Sequence, residues 1–231
     1  MKIGILSDIH ANNYALEAVL NYLILNKVNK IFILGDFVGY YYGVKEMFNL
    51  LESWDCESIG GNHETIIKDI KLNRISQNEV VKKYGSGHMV ALETMTKMQT
   101  VFLFNLPPSL LIEINKKKIF LCHANPWLSS EYIYSNSDIS LLKKFGEYDY
   151  DYIFFGHSHY PFSFKINNTV CINPGSVGQP RDKYSLSSLV IFDTVNDTFS
   201  FHKIPYDKTK LFDDIQNYDP NNNYLRTVLE R

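Results

Sequence analysis

The chain has 231 residues, 45% of them hydrophobic and 21% charged, with a net charge of −2; that length supports one sizeable globular core, or at most two small ones. No basic surface for polymeric nucleic acid is implied, since no block of like charge exceeds Lys116–Lys118. The first apolar stretch, Ile3–Leu6, is too short for a signal-peptide core, and no run approaches the roughly 18 apolar residues of a membrane span.

Three cysteines without paired spacing, Cys56, Cys122 and Cys171, fit reduced thiols, so the cytoplasm is the expected compartment. Apolar runs then give the elements in chain order. "KIGILS" (2–7) predicts a short buried strand, and Leu16, Val19, Leu20 and Leu23 follow at helical spacing. "KIFILG" (30–35) is a second strand, "VKEMFNLLES" an amphipathic helix and "CESIGG" a third strand. Strand and helix alternating in this way mark a parallel sheet. Residues 64–105 change character to a polar, helical insert expected over one sheet edge. "LLIEINKKKIFLCHA" alternates around a polar turn and predicts a hairpin; "DYIFFG" is a buried strand, and "FSFKINNTVCIN" and "SLVIFDTVNDTFSFHKI" are two further hairpins. Residues 206–231 predict a C-terminal helix and tail. These patterns predict a single domain, 1–231, of two packed sheets, one mainly parallel and one mainly antiparallel, with helices outside.

Polar residues collect where the predicted strands end. Asp8 and His10 follow the first strand, Asp36 the second, Asn62 and His63 the third; His123 follows "KIFLC", and His157 and His159 follow "DYIFFG". Open α/β sheets place ligand sites at the carboxyl ends of their strands. On extended backbone His157 and His159, two residues apart, share a face and would aim at one point. His88, in the insert, and His202, in a terminal strand, read as solvated. Cys122 should point away from His123, into the core.

Asp, His and Asn supply oxygen and nitrogen donors, a mixture suited to Mn, Fe, Zn, Ni or Co. Asp8, His10, Asp36, Asn62, His123, His157 and His159 are too many for one closed tetrahedral zinc. They divide between two ions if one carboxylate bridges. Two ions about 3.5–4 Å apart clamp the attacking and leaving oxygens of a displacement at phosphorus. Ligand count thus points to metal-assisted phosphoester hydrolysis.

In this order, Asp8-x-His10, Gly35-Asp36, Gly61-Asn62-His63-Glu64, His123 and Gly156-His157-x-His159 resemble the calcineurin-like metallophosphoesterase superfamily, from residue 2 to about 160. "NPGSVGQPR" (173–181) resembles a segment of its small, mostly prokaryotic branch. The resemblance implies an α/β (α+β) fold: a four-layer sandwich of two mixed β-sheets flanked by helices, with a dinuclear metal site at the strand ends. It implies a first ion on Asp8, His10 and His159 and a second on Asn62, His123 and His157, with Asp36 bridging. Two divalent ions are expected, manganese first, with iron, zinc, nickel or cobalt as alternatives, and a metal-bridging hydroxide as nucleophile. By the same resemblance His63 stabilises the phosphoryl oxygens or protonates the leaving group.

Asn12 and Arg181 are expected on the substrate side. Asn12 also reads as the N-cap of the helix near Tyr14, and Arg181 as either a fork donor to phosphate or a surface salt bridge. The implied substrate is a small or nucleotide-like phosphoester, diester favoured, with Tyr40 to Tyr42 available to stack on a base; a homo-oligomer is admitted. The phosphoprotein-phosphatase branch resembles GDxxDRG where this chain has "GDFVGYYYG", with Gly39 in place of the second Asp and no Arg after it. That argues against a protein serine/threonine phosphatase. Some relatives with this fold are non-catalytic scaffolds, but the full ligand set and His63 favour an enzyme.

Overall fold

The computed structural model describes residues Met1–Arg231. β1 (Lys2–Leu6), α1 (Asn13–Leu25), β2 (Lys30–Ile33), α2 (Val44–Leu51) and β3 (Asp55–Ser58) follow the predicted alternation. Four helices then fill the polar segment: α3 (Asn62–Lys71), α4 (Gln77–Tyr84), α5 (Gly87–Thr94) and α6 (Lys97–Phe104). The first starts two residues before the predicted insert, so Asn62 and His63 form its first turn. There follow β4 (Ser109–Ile114), β5 (Lys117–Cys122), α7 (Ile139–Lys143), β6 (Tyr152–Phe154), β7 (Pro161–Ile166), β8 (Thr169–Pro174), β9 (Ser187–Asp193), β10 (Thr198–Ile204), α8 (Thr209–Tyr218) and α9 (Asn223–Thr227). No helix is long and apolar enough to cross a membrane.

The strands form two five-stranded sheets, ordered β10-β9-β1-β2-β3 and β4-β5-β6-β8-β7. In the first, β1, β2 and β3 run parallel, and the β9–β10 hairpin adds antiparallel strands with Phe192 opposite Ile3. In the second, β5, β6 and β8 run parallel between antiparallel β4 and β7. Both sheets are therefore mixed, which corrects the expectation of a mainly antiparallel second sheet. Local alternation shows each hairpin, but not that β6 inserts between two of them; that pairing joins segments remote in sequence.

Alternation along each strand builds the layers. Phe32 and Leu34 of the first sheet, with Ile3 and Ile5, meet Ile119, Leu121, Phe154 and Ile172 of the second. Ile31 and Ile33 face the other way, onto Leu16, Val19 and Leu23 of α1 and Met47 of α2. On the far side of the second sheet Cys122, Ile153, Phe155 and Cys171 pack against Leu142 and Phe145. The result is helix, sheet, sheet, helix, with Cys122 in the outer core and His123 on the opposite side, as predicted.

Phe154 lies buried between the sheets, its ring 5.6 Å from that of Phe192 and edge-on to it. Phe154→Ala is expected to lower stability by about 3–5 kcal/mol through lost transfer energy and a residual cavity. The check is a lower urea midpoint with an unchanged denaturant slope; an unchanged midpoint would show that the sheets do not pack through this ring.

Candidate metal centre

The turns after β1, β2 and β6 hold their donors in an uncommon backbone conformation. Asp8, His10, Asp36, His157 and His159 have φ of 54°, 51°, 55°, 67° and 64°. Non-glycine residues adopt this left-handed region rarely, and such residues cluster where function needs them. Hydrogen bonds between the turns hold them there. The Asp8 N–H donates to the Gly35 carbonyl at 3.2 Å and that of His10 to the Asp36 carbonyl at 2.9 Å. The His157 N–H donates to Asp8 Oδ2 at 3.1 Å, and the His63 N–H to Asp36 Oδ1 at 2.9 Å. Gly61 permits this last approach: a Cβ there would stand 2.2 Å from Asp36 Oδ1. Glu64, which received no role from the sequence, accepts from the backbone N–H groups of Gly61, Asp36 and Phe37 at 2.7, 2.8 and 2.9 Å. It fastens the start of α3 to the turn after β2. Its place in the first turn of a helix was the available signal.

The strand-end donors assemble into sets. Asp8, His10 and His159 form one, and Asp36, His123 and His157 another; within each, the candidate ligand atoms lie within 4.8 Å of one another. All six are buried. Asn62 adds its Oδ1, 3.0 Å from His123 Nε2. His157 and His159 thus join different sets, which corrects the picture of two rings aimed at one point. The chain is no longer extended there: β6 stops at Phe154, and left-handed residues stand on either side of Ser158.

The outer nitrogens fix the tautomers. His10, His123 and His159 place Nδ1 at 3.1, 2.7 and 2.6 Å from the carbonyls of Val38, Leu34 and Gln179. A carbonyl only accepts, so each Nδ1 carries a proton, and on a neutral ring Nε2 is left as a lone pair, the form that ligates. Yet Nε2 of His10 and of His159 stand 3.2 Å apart. Asp8 Oδ1 is 3.2 Å from the latter and has no hydrogen-bond donor. In the second set His157 Nδ1 faces His123 Nε2 at 3.2 Å, and Asp36 Oδ2 is also 3.2 Å from that Nε2. Converging lone pairs repel; a divalent cation at their focus turns repulsion into coordination. The donor chemistry fits a divalent metal.

Burial drives the His10 and His157 imidazoles down to about 3 and about 4, keeping them neutral and able to ligate. His123 shows the opposite demand. Burial opposes its charge, but the Asp36 carboxylate beside it draws it up to about 10. A proton on His123 therefore stabilises the metal-free fold below pH about 6.5, and this is lost toward pH about 10. Metal competes with that proton, so metal binding strengthens as pH rises. Manganese at about 100 times its Kd is expected to add ~2.7 kcal/mol of stability, a rise of about 5–10 °C in Tm for a chain of this size. Calorimetry with manganese against a chelator should show a larger shift at about pH 8 than at about pH 6; no shift at either pH would count against the site.

His63, on the first turn of α3, places its ring 4.8 Å from that of His10 and its Nε2 4.0 Å from Asp36 Oδ2. Its Nδ1 meets His88 Nε2 at 3.0 Å. His88 is 0% exposed, which corrects the reading of a solvated residue. The start of α5 is pressed onto the chain at Tyr40 and Tyr41, where a Cβ on Gly87 would meet backbone at 2.7 Å, and His88 is carried inward with it. His202 is half-buried between the hydroxyls of Tyr22 and Ser200, at 2.8 and 2.7 Å, away from these donors.

Asn12 is 0% exposed, and its amide is committed to the fold. Oδ1 accepts from the Ala15 N–H at 3.1 Å as the cap of α1, while Nδ2 donates to the Gly178 carbonyl at 2.8 Å and the Tyr206 hydroxyl at 2.9 Å. No polar atom is left for a substrate, so that expectation is corrected in favour of the cap. Arg181 donates through Nη2 to Gln179 Oε1 at 3.1 Å and the Tyr40 hydroxyl at 3.3 Å. Both partners are neutral, so the surface salt bridge is not found. Tyr41 and Tyr42 are buried against Leu211, Ile215 and Leu225 of the C-terminal helices, and cannot stack on a base. Tyr40 does reach the site, its ring 4.7 Å from His10 and 5.0 Å from His63. Tyr132, in a loop without sequence signal, stacks on His157 at 4.0 Å and is 43% exposed.

Known proteins resemble this chain in sequence and fold. A family model described as the calcineurin-like phosphoesterase superfamily domain matches residues 1–197. The uncharacterized protein MJ0912 of Methanocaldococcus jannaschii is 34% identical over 234 residues, covering 92% of this chain and 91% of that protein. The crystal structure of a metallophosphoesterase from Sphaerobacter thermophilus matches with a TM-score of 0.81 at 28% identity, covering 100% of this chain and 98% of that one. The hypothetical protein PH1004 from Pyrococcus horikoshii has the same fold, with a TM-score of 0.84 at 20% identity over 98% of this chain and 97% of its own. With the family model spanning most of the chain, two mixed sheets flanked by helices, and Asp and His donors gathered at the strand ends, the chain belongs to the calcineurin-like phosphoesterase superfamily.

Proposed function

We propose that this protein is a two-metal phosphoesterase acting on a small or nucleotide-like phosphodiester. The observation that carries this reading is the position of Asp36 between the two donor sets. Its Oδ2 is 3.2 Å from His123 Nε2 on one side and 3.9 Å from His10 Nε2 on the other. Asp8, His10 and His159 would hold one cation, and Asn62, His123 and His157 the second, with Asp36 shared. The oxygen and nitrogen donors suit Mn, Fe, Zn, Ni or Co, and manganese is the first ion to test. Cations held by these residues would supply Lewis acidity toward a water and the phosphoryl oxygen.

The remaining roles belong to side chains. The backbone carbonyls of Val38, Leu34 and Gln179 lock the ligating rings in orientation. His63 presents Nε2 to the phosphoryl or leaving oxygen. Arg181, with only neutral partners, is free to pair with a phosphate oxygen. Tyr132, 43% exposed, offers an aromatic face to a second esterified group, which a monoester lacks; that favours a diester.

Two assays test this. Manganese-supplemented hydrolysis of an aryl phosphodiester is expected to exceed that of the matching monoester. The reverse preference would move the reading to a phosphatase, and no hydrolysis with Mn, Zn, Ni or Co despite bound ions would leave a scaffold. Arg181→Met is expected to raise KM about tenfold with kcat nearly unchanged, the loss of one charge-assisted hydrogen bond; an unchanged KM would remove Arg181 from the substrate site.

A further inference from the structure

The space beside His63 Nδ1 is filled in an unusual way. Gly39 has a φ of +92°, and a Cβ on it would stand 2.1 Å from His63 Nδ1 and 3.0 Å from His88 Nε2. No side chain fits at position 39, so the partner of His63 comes from the helical segment instead. His88 Nε2 lies 3.0 Å from His63 Nδ1, with the two rings nearly parallel at 9° and 4.9 Å apart. The Tyr84 ring flanks both, at 4.9 Å from His63 and 5.7 Å from His88. The helix carrying His88 is braced from the C-terminal end of the chain. Asp219 Oδ2 accepts from the Ser86 N–H and hydroxyl, both at 2.8 Å, and from the Tyr42 hydroxyl at 2.7 Å.

We propose that His88 is the positioning residue for His63: it donates Nε2–H to His63 Nδ1 and so fixes His63 as the neutral tautomer whose proton sits on Nε2. This rests on the phosphoesterase reading only for its consequence in catalysis; the tautomer itself follows from the geometry. One of the two facing nitrogens must carry the hydrogen. If it were His63 Nδ1, neutral His88 would carry its own proton on Nδ1. That atom is buried without any partner, and an orphaned donor costs about 1–3 kcal/mol. With the hydrogen on His88 Nε2, the orphan becomes a bare lone pair, and unpaired acceptors are the better tolerated kind. His63 Nε2 then directs a hydrogen, rather than a lone pair, toward Asp36 Oδ2 at 4.0 Å. Both facts select the same state. Burial keeps the His88 ring neutral, its pKa down to about 4, so the pair is not an ion pair.

The functional consequence is a specific division of labour. A carboxylate partner would accept from His63 Nδ1–H and favour an imidazolium that gives up a proton. A donating histidine instead leaves His63 as a neutral Nε2–H donor, which stabilises charge on the phosphoryl or leaving oxygen by hydrogen bonding.

The test has a spectroscopic and a kinetic arm. Histidine ¹⁵N spectra of the zinc-loaded, diamagnetic protein at about pH 8, where free histidine is neutral, should show Nε2 protonated and Nδ1 bare on both His63 and His88. A proton on His63 Nδ1 would overturn the proposal. His88→Gln keeps a donor at the Nε2 position, and kcat is expected within about threefold of the parent. His88→Leu fills the space without a donor, and kcat is expected to fall about 10–100-fold with KM and bound metal unchanged. Parental kcat in His88→Leu would overturn the positioning role. If neither variant folds, the spectrum of the parent decides. If the parent hydrolyses no phosphoester, the functional reading fails while the tautomer still stands or falls on the spectrum.

Discussion

Asp36→Asn is expected to lower kcat by on the order of 10³-fold, because it removes the one charge that both donor sets share. Burial would raise this carboxyl, but His123 and His63 beside it hold it well below the usual carboxylate range. It is therefore an anion throughout the working pH range. Asparagine preserves the shape and can still accept the His63 N–H, now 2.9 Å from Oδ1. Its amide hydrogens, however, would point at His123 Nε2, which stands 3.2 Å from Oδ2. The fold should survive while both cations weaken. Metal analysis beside kinetics is the check, with bound metal per chain falling together with kcat. A variant that kept full metal and full activity would show that Asp36 does not bridge.

His63→Ala is the complementary case, expected to lower kcat about 10²–10⁴-fold with bound metal unchanged. The ring forms a third donor set with His10 and Asp36, but the sets of Asp8, His10 and His159 and of Asp36, His123 and His157 are complete without it. The loss should be greater for alkyl than for aryl leaving groups, since a poor leaving oxygen depends most on a hydrogen-bond donor. His63→Gln preserves most of the volume between Tyr40 and Tyr84 and separates lost chemistry from lost packing. Equal losses on both leaving groups would move His63 from the leaving oxygen to general phosphoryl binding. Loss of metal in both variants would make it a structural support of the cation site.

Much of this site was legible in the residues alone. A run such as "KIFILG" identifies a buried strand whatever it pairs with, and the polar residue after it, Asp36, must lie at the strand's end. The same logic located Asp8, His10, Asn62, His123, His157 and His159. The absence of a side chain at Gly39 was legible too, but not its meaning. Only the folded chain shows that His88, 25 positions after His63, occupies that space. Asn12 was ambiguous because capping and ligand contact ask for the same amide; its three hydrogen bonds within the fold resolve it.

The sequence by itself determined the elements, the periodic faces they bury and the chemical kind of donor at each strand end, because those depend on neighbours two to four positions away. The tertiary structure alone decided which donors meet. His10 and His159 are 149 positions apart yet bring their Nε2 atoms within 3.2 Å. That contact depends on two sheets packing face to face with their parallel strands ending together. His157 and His159, two positions apart, part company because their backbones are left-handed rather than extended, a conformation imposed by the turns packed around them.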